Sequence, residues 1–329
     1  MGDFTMKQIR RLTALLLTLC VLFTLAAPAF AASSVQSEMK DSAEYMLSAV
    51  KSPEVGSIGG EWAVIGLARS GCSVPANYFE SYYARVEKYV KDCKGVLHER
   101  KYTEYSRVIL ALTALGEDAT KFTGSNGTVY NLVEPLFEKN GSTYRVSEQG
   151  NNGTAFALIA LDSGNYYDNA TGTTARNAWI NSLLDAQISG GSWGIDADFP
   201  GSNVDMTAMV VQALAPYCST NANVKDAVDK AVKWLSAEYQ KTGDYDSSES
   251  AAQVIVALSA LNIDADTDSR FVKNGHSALE NLLTFEQADG SFLHTLPGSD
   301  KDNNQMSSEQ GTYALVAIAS KPAKTVCTT

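Results

Sequence analysis

Six segments of this chain are apolar or small at nearly every position: 61–70, 106–115, 152–161, 205–214, 252–261 and 309–318. Their last residues, Ser70, Leu115, Leu161, Leu214, Leu261 and Ile318, are spaced by 45, 46, 53, 47 and 57 residues. A helix that is greasy all round is buried on every side. Before each copy the pattern changes to an amphipathic stripe, which predicts outer helices over 38–51, 76–92, 128–138, 174–187, 224–240 and 276–287. In the fifth, Val224, Ala227, Val228, Ala231, Val232 and Leu235 fall on one helical face and charged residues on the other. The unit is therefore an outer helix followed by an inner one, six times over. A single hairpin cannot cover its apolar stripe, so the units must stack. An open stack needs polar caps at its ends, and neither terminal inner segment is more polar than the rest. The expected fold is all-α, an α6/α6 toroid in which the sixth hairpin covers the first.

The N-terminus changes the picture of where the protein works. Lys7, Arg10 and Arg11 precede an apolar run, and Ala29-Phe30-Ala31 is a small-x-small cleavage site. Residues 1–31 read as a signal peptide and 32–329 as one toroid domain, exported with no membrane anchor. Loss of Lys7, Arg10, Arg11 and Asp3 takes the formal net charge from −11 to −13. So acidic a surface repels phosphate backbones and argues against nucleic acid as a partner.

A second signature lies between the helices. Gln187-Ile-Ser-Gly-Gly-Ser-Trp193 and Gln287-Ala-Asp-Gly-Ser-Phe292 set a glutamine, a glycine turn and an aromatic at an outer-helix end, and Gln240-Lys-Thr-Gly-Asp-Tyr245 is a looser copy. The expectation is that the glutamine caps helix-end carbonyls while the aromatic packs over the turn. The pattern resembles the glutamine–tryptophan repeat of the squalene cyclase and protein prenyltransferase superfamily. The resemblance implies the toroid, and it covers terpene cyclases, prenyltransferase subunits, thioester domains and the cobalamin-carrier α domain. It does not imply one function, because chemistry resides in sites rather than folds.

Each of those chemistries has a residue requirement. A cyclase acid needs an Asp-rich cluster, and Asp196-Ala-Asp198-Phe199 lacks the final carboxylate. A prenyltransferase zinc needs Asp, Cys and His together, whereas His98, His276 and His294 lie beside no cysteine in sequence. A thioester needs a cysteine that Ser147-Glu-Gln-Gly150 and Ser308-Glu-Gln-Gly311 do not have. Asp264, Asp266 and Asp268 match the first ligands of a calcium loop, but Ser269 and Gly275 replace its glycine and its bidentate glutamate. No cofactor is expected.

One constellation remains. Glu61, Asn152, Asp205, Glu249, Glu309 and Gln310 sit at the starts of inner helices, with Glu104 and Tyr105 beside them and Trp62 and Trp193 as flat apolar surfaces. Such residues at a helix start also serve simply to cap it and complement its dipole. Read functionally, they form a polar ligand-binding rim at one mouth of the ring. The leading expectation is a secreted, non-catalytic binding or scaffold module. It would take a small ligand such as a corrinoid by resemblance, or an extracellular or cell-surface protein. The carriers of that superfamily use a second, β-rich domain, for which no residues are left here. The alternative is a terpene-cyclase-like or polysaccharide-lyase-like enzyme using Asp205, Glu249 or Glu309 as general acid or base. If the first and sixth inner helices are neighbours, Cys72 and Cys327 share one end of the ring, and a disulfide between them would staple it. N-terminal sequencing of the exported chain is expected to begin at Ala32; a start at Met1 would remove the case for export.

Overall fold

The computed structural model describes residues 35–196, 198–296 and 305–320. Residues 1–31, read above as a signal peptide, and Cys327 lie outside them. The described chain is mostly helical. Its helices are α1 (35–49), α2 (Trp62–Arg69), α3 (Ala76–Asp92), α4 (Thr103–Ala114), α5 (Gly150–Ser163), α6 (Ala170–Asp185), α7 (Val204–Leu214), α8 (Ala222–Thr242), α9 (Ser248–Ala260), α10 (Ala278–Thr284) and α11 (Gln305–Ala319). The six apolar segments are α2, α4, α5, α7, α9 and α11. Three two-residue hairpins decorate the connections: β1 (Phe122–Thr123) with β2 (Val129–Tyr130), β3 (Lys139–Asn140) with β4 (Thr143–Tyr144), and β5 (Val272–Lys273) with β6 (His276–Ser277). No described helix is long and apolar enough to cross a membrane.

One expected helix is absent. Residues 128–138 were expected to form the outer helix of the third unit, but they hold β2 and a single 3-10 turn, Glu134–Phe137. The reason is local. Asn126-Gly127 closes the β1–β2 turn, with Gly127 at φ 77°. Asn131 accepts from the amides of Val133 and Glu134, and Pro135 removes a backbone donor. Leu132, Val133 and Leu136 are still fully buried, so the segment fills the core without being helical.

The inner helices pack in chain order, α2 on α4, α4 on α5, α5 on α7, α7 on α9 and α9 on α11, and α11 also packs on α2. Glycine permits close approach at two points near this last contact. A Cβ on Gly66 of α2 would stand 3.2 Å from the Thr312 methyl of α11, and one on Gly311 would strike the Phe292 ring at 2.6 Å. Ser42 of α1 meets Thr312 in a buried hydroxyl pair at 2.6 Å.

The glutamine–aromatic turns follow the expectation in one copy and depart from it in others: Gln287 donates to Phe285 O and Glu286 O at the end of α10, and Phe292 is buried in the core. In the other two copies the aromatic bonds the preceding helix, Trp193 at its end and Tyr245 in its interior. Buried Trp193 donates its indole N–H to Leu183 O at 2.7 Å, and the Tyr245 hydroxyl donates to Leu235 O at 3.0 Å. Gln187 instead bridges two units, donating to Gly191 O in its own turn and to Ala227 O on α8 at 2.8 Å. An indole N–H can only donate, so the orphan carbonyl of a helix end is its natural partner.

Gly66→Val is expected to lower stability by about 1–3 kcal/mol through overpacking against Thr312. Thermal unfolding should show the drop, while Gly201→Ala, where a Cβ meets nothing within 4 Å, leaves it unchanged.

Candidate functional site

Side chains and backbone groups at the N-terminal ends of the inner helices bond each helix to the next. Between α2 and α4, Arg107 Nε donates to Glu61 at 3.3 Å. Between α4 and α5, Gln149 accepts from the Thr103 amide at 2.9 Å and returns a bond to its hydroxyl. From α5 toward α7, Asn151 donates to Gly194 O and Ile195 O. The Ser250 hydroxyl of α9 donates to Asp205 of α7 at 2.5 Å, and the Ser307 hydroxyl of α11 donates to Glu249 of α9 at 2.6 Å. Finally the Gly59 amide, just before α2, donates to Glu309 of α11 at 2.7 Å.

Helix capping falls to other residues. Asn203 caps α7 and Ser247 caps α9, each accepting from an amide three residues on. The predicted rim carboxylates lie one step inward and turn sideways to the neighbouring helix.

Their burial differs from that of an open rim. Glu61 is fully buried. It accepts from the Gly56 amide with both oxygens, at 3.0 and 3.1 Å, and from the Tyr82 hydroxyl. Desolvation pushes its pKa up to about 7, against the opposing pull of Arg107. Glu309 is also fully buried; burial lifts it to about 7, although the Gln305 amide and Gly59 favour its charge. Its second oxygen has no partner. Asp205 is raised by burial and further by Glu249, while the Ser250 bond and His294 oppose. Glu249 is gripped by Ser248, Ser307 and the imidazole Nδ1 of His294, the last at 2.7 Å. Glu104 pairs with Arg107 at 2.6 Å.

Below the rim the middle of the helix set is filled. Trp62 of α2 packs its ring on Phe156 of α5 at 5.7 Å and on Tyr313 of α11 at 5.5 Å. Gln212 of α7 donates to the Tyr313 hydroxyl at 2.6 Å. Contacts α2–α5 and α7–α11 skip a helix, so these side chains meet across the centre. Asn152 stands one turn above Phe156 on the same stripe of α5, and its Oδ1 is buried with no hydrogen-bond partner. Gln253 stands one turn below Glu249. Its amide nitrogen bonds Gln310 at 3.0 Å, and its Oε1 is likewise unpartnered.

Thus Glu61, Trp62, Asn152, Asp205, Glu249, Glu309 and Gln310 belong to one end of the inner-helix set. Trp193 is sealed in the core. Tyr105 points elsewhere: its hydroxyl accepts from the Leu97 amide and its ring stacks on Tyr102 at 5.8 Å. Sequence reasoning missed Arg107, Gln253 and His294. The first two were legible as i+3 and i+4 neighbours of Glu104 and Glu249. His294 comes from a loop, where no periodicity exists to place it. Cys72 and Cys93 form no disulfide among the described residues. Asp264, Asp266 and Asp268 each accept bonds within their own loop and its neighbouring turn, and no group of three or more metal-ligating side chains is assembled among the described residues.

The carboxyls of Glu61 and Glu309 titrate above the ordinary value of an unfolded chain. Between pH 4.5 and 7 the folded state therefore binds more protons, and their contribution to stability grows as pH falls through 7. Melting temperature is expected to rise from pH 7.5 to 5.5, and Glu309→Gln is expected to flatten that rise by on the order of 2 kcal/mol. A wild-type profile that is flat or falling with acid would contradict the burial argument. Comparison with known proteins finds no matching family model and no matching curated protein.

Proposed function

We propose that this chain is a secreted, non-catalytic binding or scaffold module, a closed α6/α6 toroid that takes a small ligand at one mouth. The packing of α11 on α2 and the unbroken series of polar bonds from helix to helix support closure. The observation that carries ligand binding is the pair of unpartnered acceptors, Asn152 Oδ1 and Gln253 Oε1, above the floor made by Trp62, Phe156 and Tyr313. A buried acceptor without a donor costs about 1–3 kcal/mol, which a ligand N–H or O–H recovers. An amide-bearing ligand such as a corrinoid, taken from the superfamily resemblance, has that chemistry. Glu61 and Glu309 favour a structural role over an acid–base one, because a fully buried carboxyl tied to backbone amides does not reach a substrate.

A second reading rests on one pair. The imidazole of His294 is held by the buried carboxylate of Glu249, with Asp205 close by, which is the arrangement of a base and its orienting group. It is the form the enzyme alternative takes.

Native mass spectrometry of the exported protein with corrinoid, isoprenoid and glycan panels separates these readings. One small molecule is expected to be retained, and Asn152→Leu with Gln253→Leu is expected to weaken retention at least tenfold while the fold survives. No retained small molecule would overturn ligand binding at the mouth and favour a protein partner. Turnover of a panel member, abolished by His294→Ala, would favour the enzyme.

A further inference from the structure

The missing outer helix of the third unit leaves an opening on the flank of the molecule. A cleft of about 620 Å³ lies there, between the α3–α4 connection, the start of α4 and the β2-to-β4 segment. That volume is within the usual range of a small-molecule site, about 300–1,000 Å³. Its lining includes Lys94, His98, Arg100, Tyr105, Tyr130 and Glu138.

The lining sets three cations, Lys94, Arg100 and Arg145, against two acids, Glu99 and Glu138, a small positive excess. In a protein of net charge −11, Lys94 and Arg100 stand exposed at this cleft with no ion-pair partner among the described residues. The third cation, Arg145, is committed. It donates to Glu99 O at 2.7 Å, approaches Glu138 and Glu148, and lies over the Tyr102 ring at 5.3 Å. It braces the wall, while Lys94 and Arg100 remain available. Lys94 also holds a left-handed conformation, φ 56°, at the end of α3, followed by Gly95 at φ 82°. A non-glycine residue is uncommon there and costs about 1–2 kcal/mol.

Hydrogen-bonding groups of both kinds surround these cations. His98 accepts the Arg100 and Lys101 amides on Nδ1, both at 3.0 Å. A proton on Nδ1 would forfeit both bonds, so the hydrogen sits on Nε2, which is a donor. Glu138 accepts from the Tyr102 hydroxyl at 2.5 Å and is half exposed. Tyr130, half-buried, lines the cleft, while Tyr102 and Tyr105 stack on each other and are buried beneath it.

We propose that this flank cleft is a second binding site, for an acidic saccharide: Lys94 and Arg100 meet its carboxylate, Tyr130 faces its ring, and His98 and Glu138 bond its hydroxyls. A sugar acid needs donors and acceptors around a flat surface, and this cleft supplies all three. The site is separate from the mouth.

The test is titration of the intact chain with tetragalacturonate, with neutral maltotetraose, inorganic phosphate and an acidic tetrapeptide as comparisons. Saturable binding of tetragalacturonate, weakened at least tenfold by the double variant Lys94→Ala/Arg100→Ala and by raised salt, is expected; maltotetraose binds at least tenfold more weakly. The cations are exposed, so the variant's melting temperature should be unchanged, which separates lost binding from lost fold. Asn152→Leu/Gln253→Leu should leave this binding intact, so failure at the mouth and failure at the flank read out separately. No saturable binding of tetragalacturonate, or binding indifferent to the double variant, overturns the proposal. Preference for the peptide or for phosphate overturns the saccharide assignment.

Discussion

The structure depends on how the last inner helix meets the first. Gly66 lets α11 approach α2, the Ser42–Thr312 hydroxyl pair fixes the outer helix α1 against the same joint, and Glu309 reaches across to the Gly59 amide. Each contact joins residues some 250 or more positions apart. Every inner helix is apolar or small on nearly all sides, so an uncovered end would expose a greasy face to water. In the closed ring proposed above, this joint covers that face on α2 and α11 at once.

The same requirement governs the polar groups. Helix N-termini carry unsatisfied amides and favour negative charge, so acidic residues accumulate at that end. Here the caps are Asn203 and Ser247, and the acids reach sideways to neighbouring units. Burial raises Glu61 and Glu309 toward neutrality, which lowers the cost of keeping carboxyls in the interior. Polar atoms are left over on Asn152, Gln253 and Glu309, and the two amide oxygens are the ones set beside the aromatic floor.

The two proposed sites arise in different ways. The mouth is a consequence of repetition, since each unit delivers a polar residue to the same level. The flank cleft is a consequence of its failure at one unit, where a turn and a hairpin stand in place of a helix. The mouth collects acids and amides, and the flank sets Lys94, Arg100 and Arg145 beside Tyr130, Glu99 and Glu138.

Periodicity alone located all six inner helices and five outer ones, because burial on one face or on all faces writes a 3.6-residue signature into the chain. It failed over 128–138, where the apolar spacing was right but Asn126-Gly127 and Pro135 imposed turns. It also placed Glu61, Asn152, Asp205, Glu249, Glu309 and Gln310 at one end of their helices, since position within a repeat is a local property. Tertiary structure decided what those residues touch. That Trp193 caps a helix and Gln187 bridges units, that Glu309 meets Gly59, and that His294 meets Glu249 all depend on side chains from distant parts of the chain. A repeat fixes which face a residue occupies; only packing fixes its neighbour, because contacts between units carry no period along the sequence.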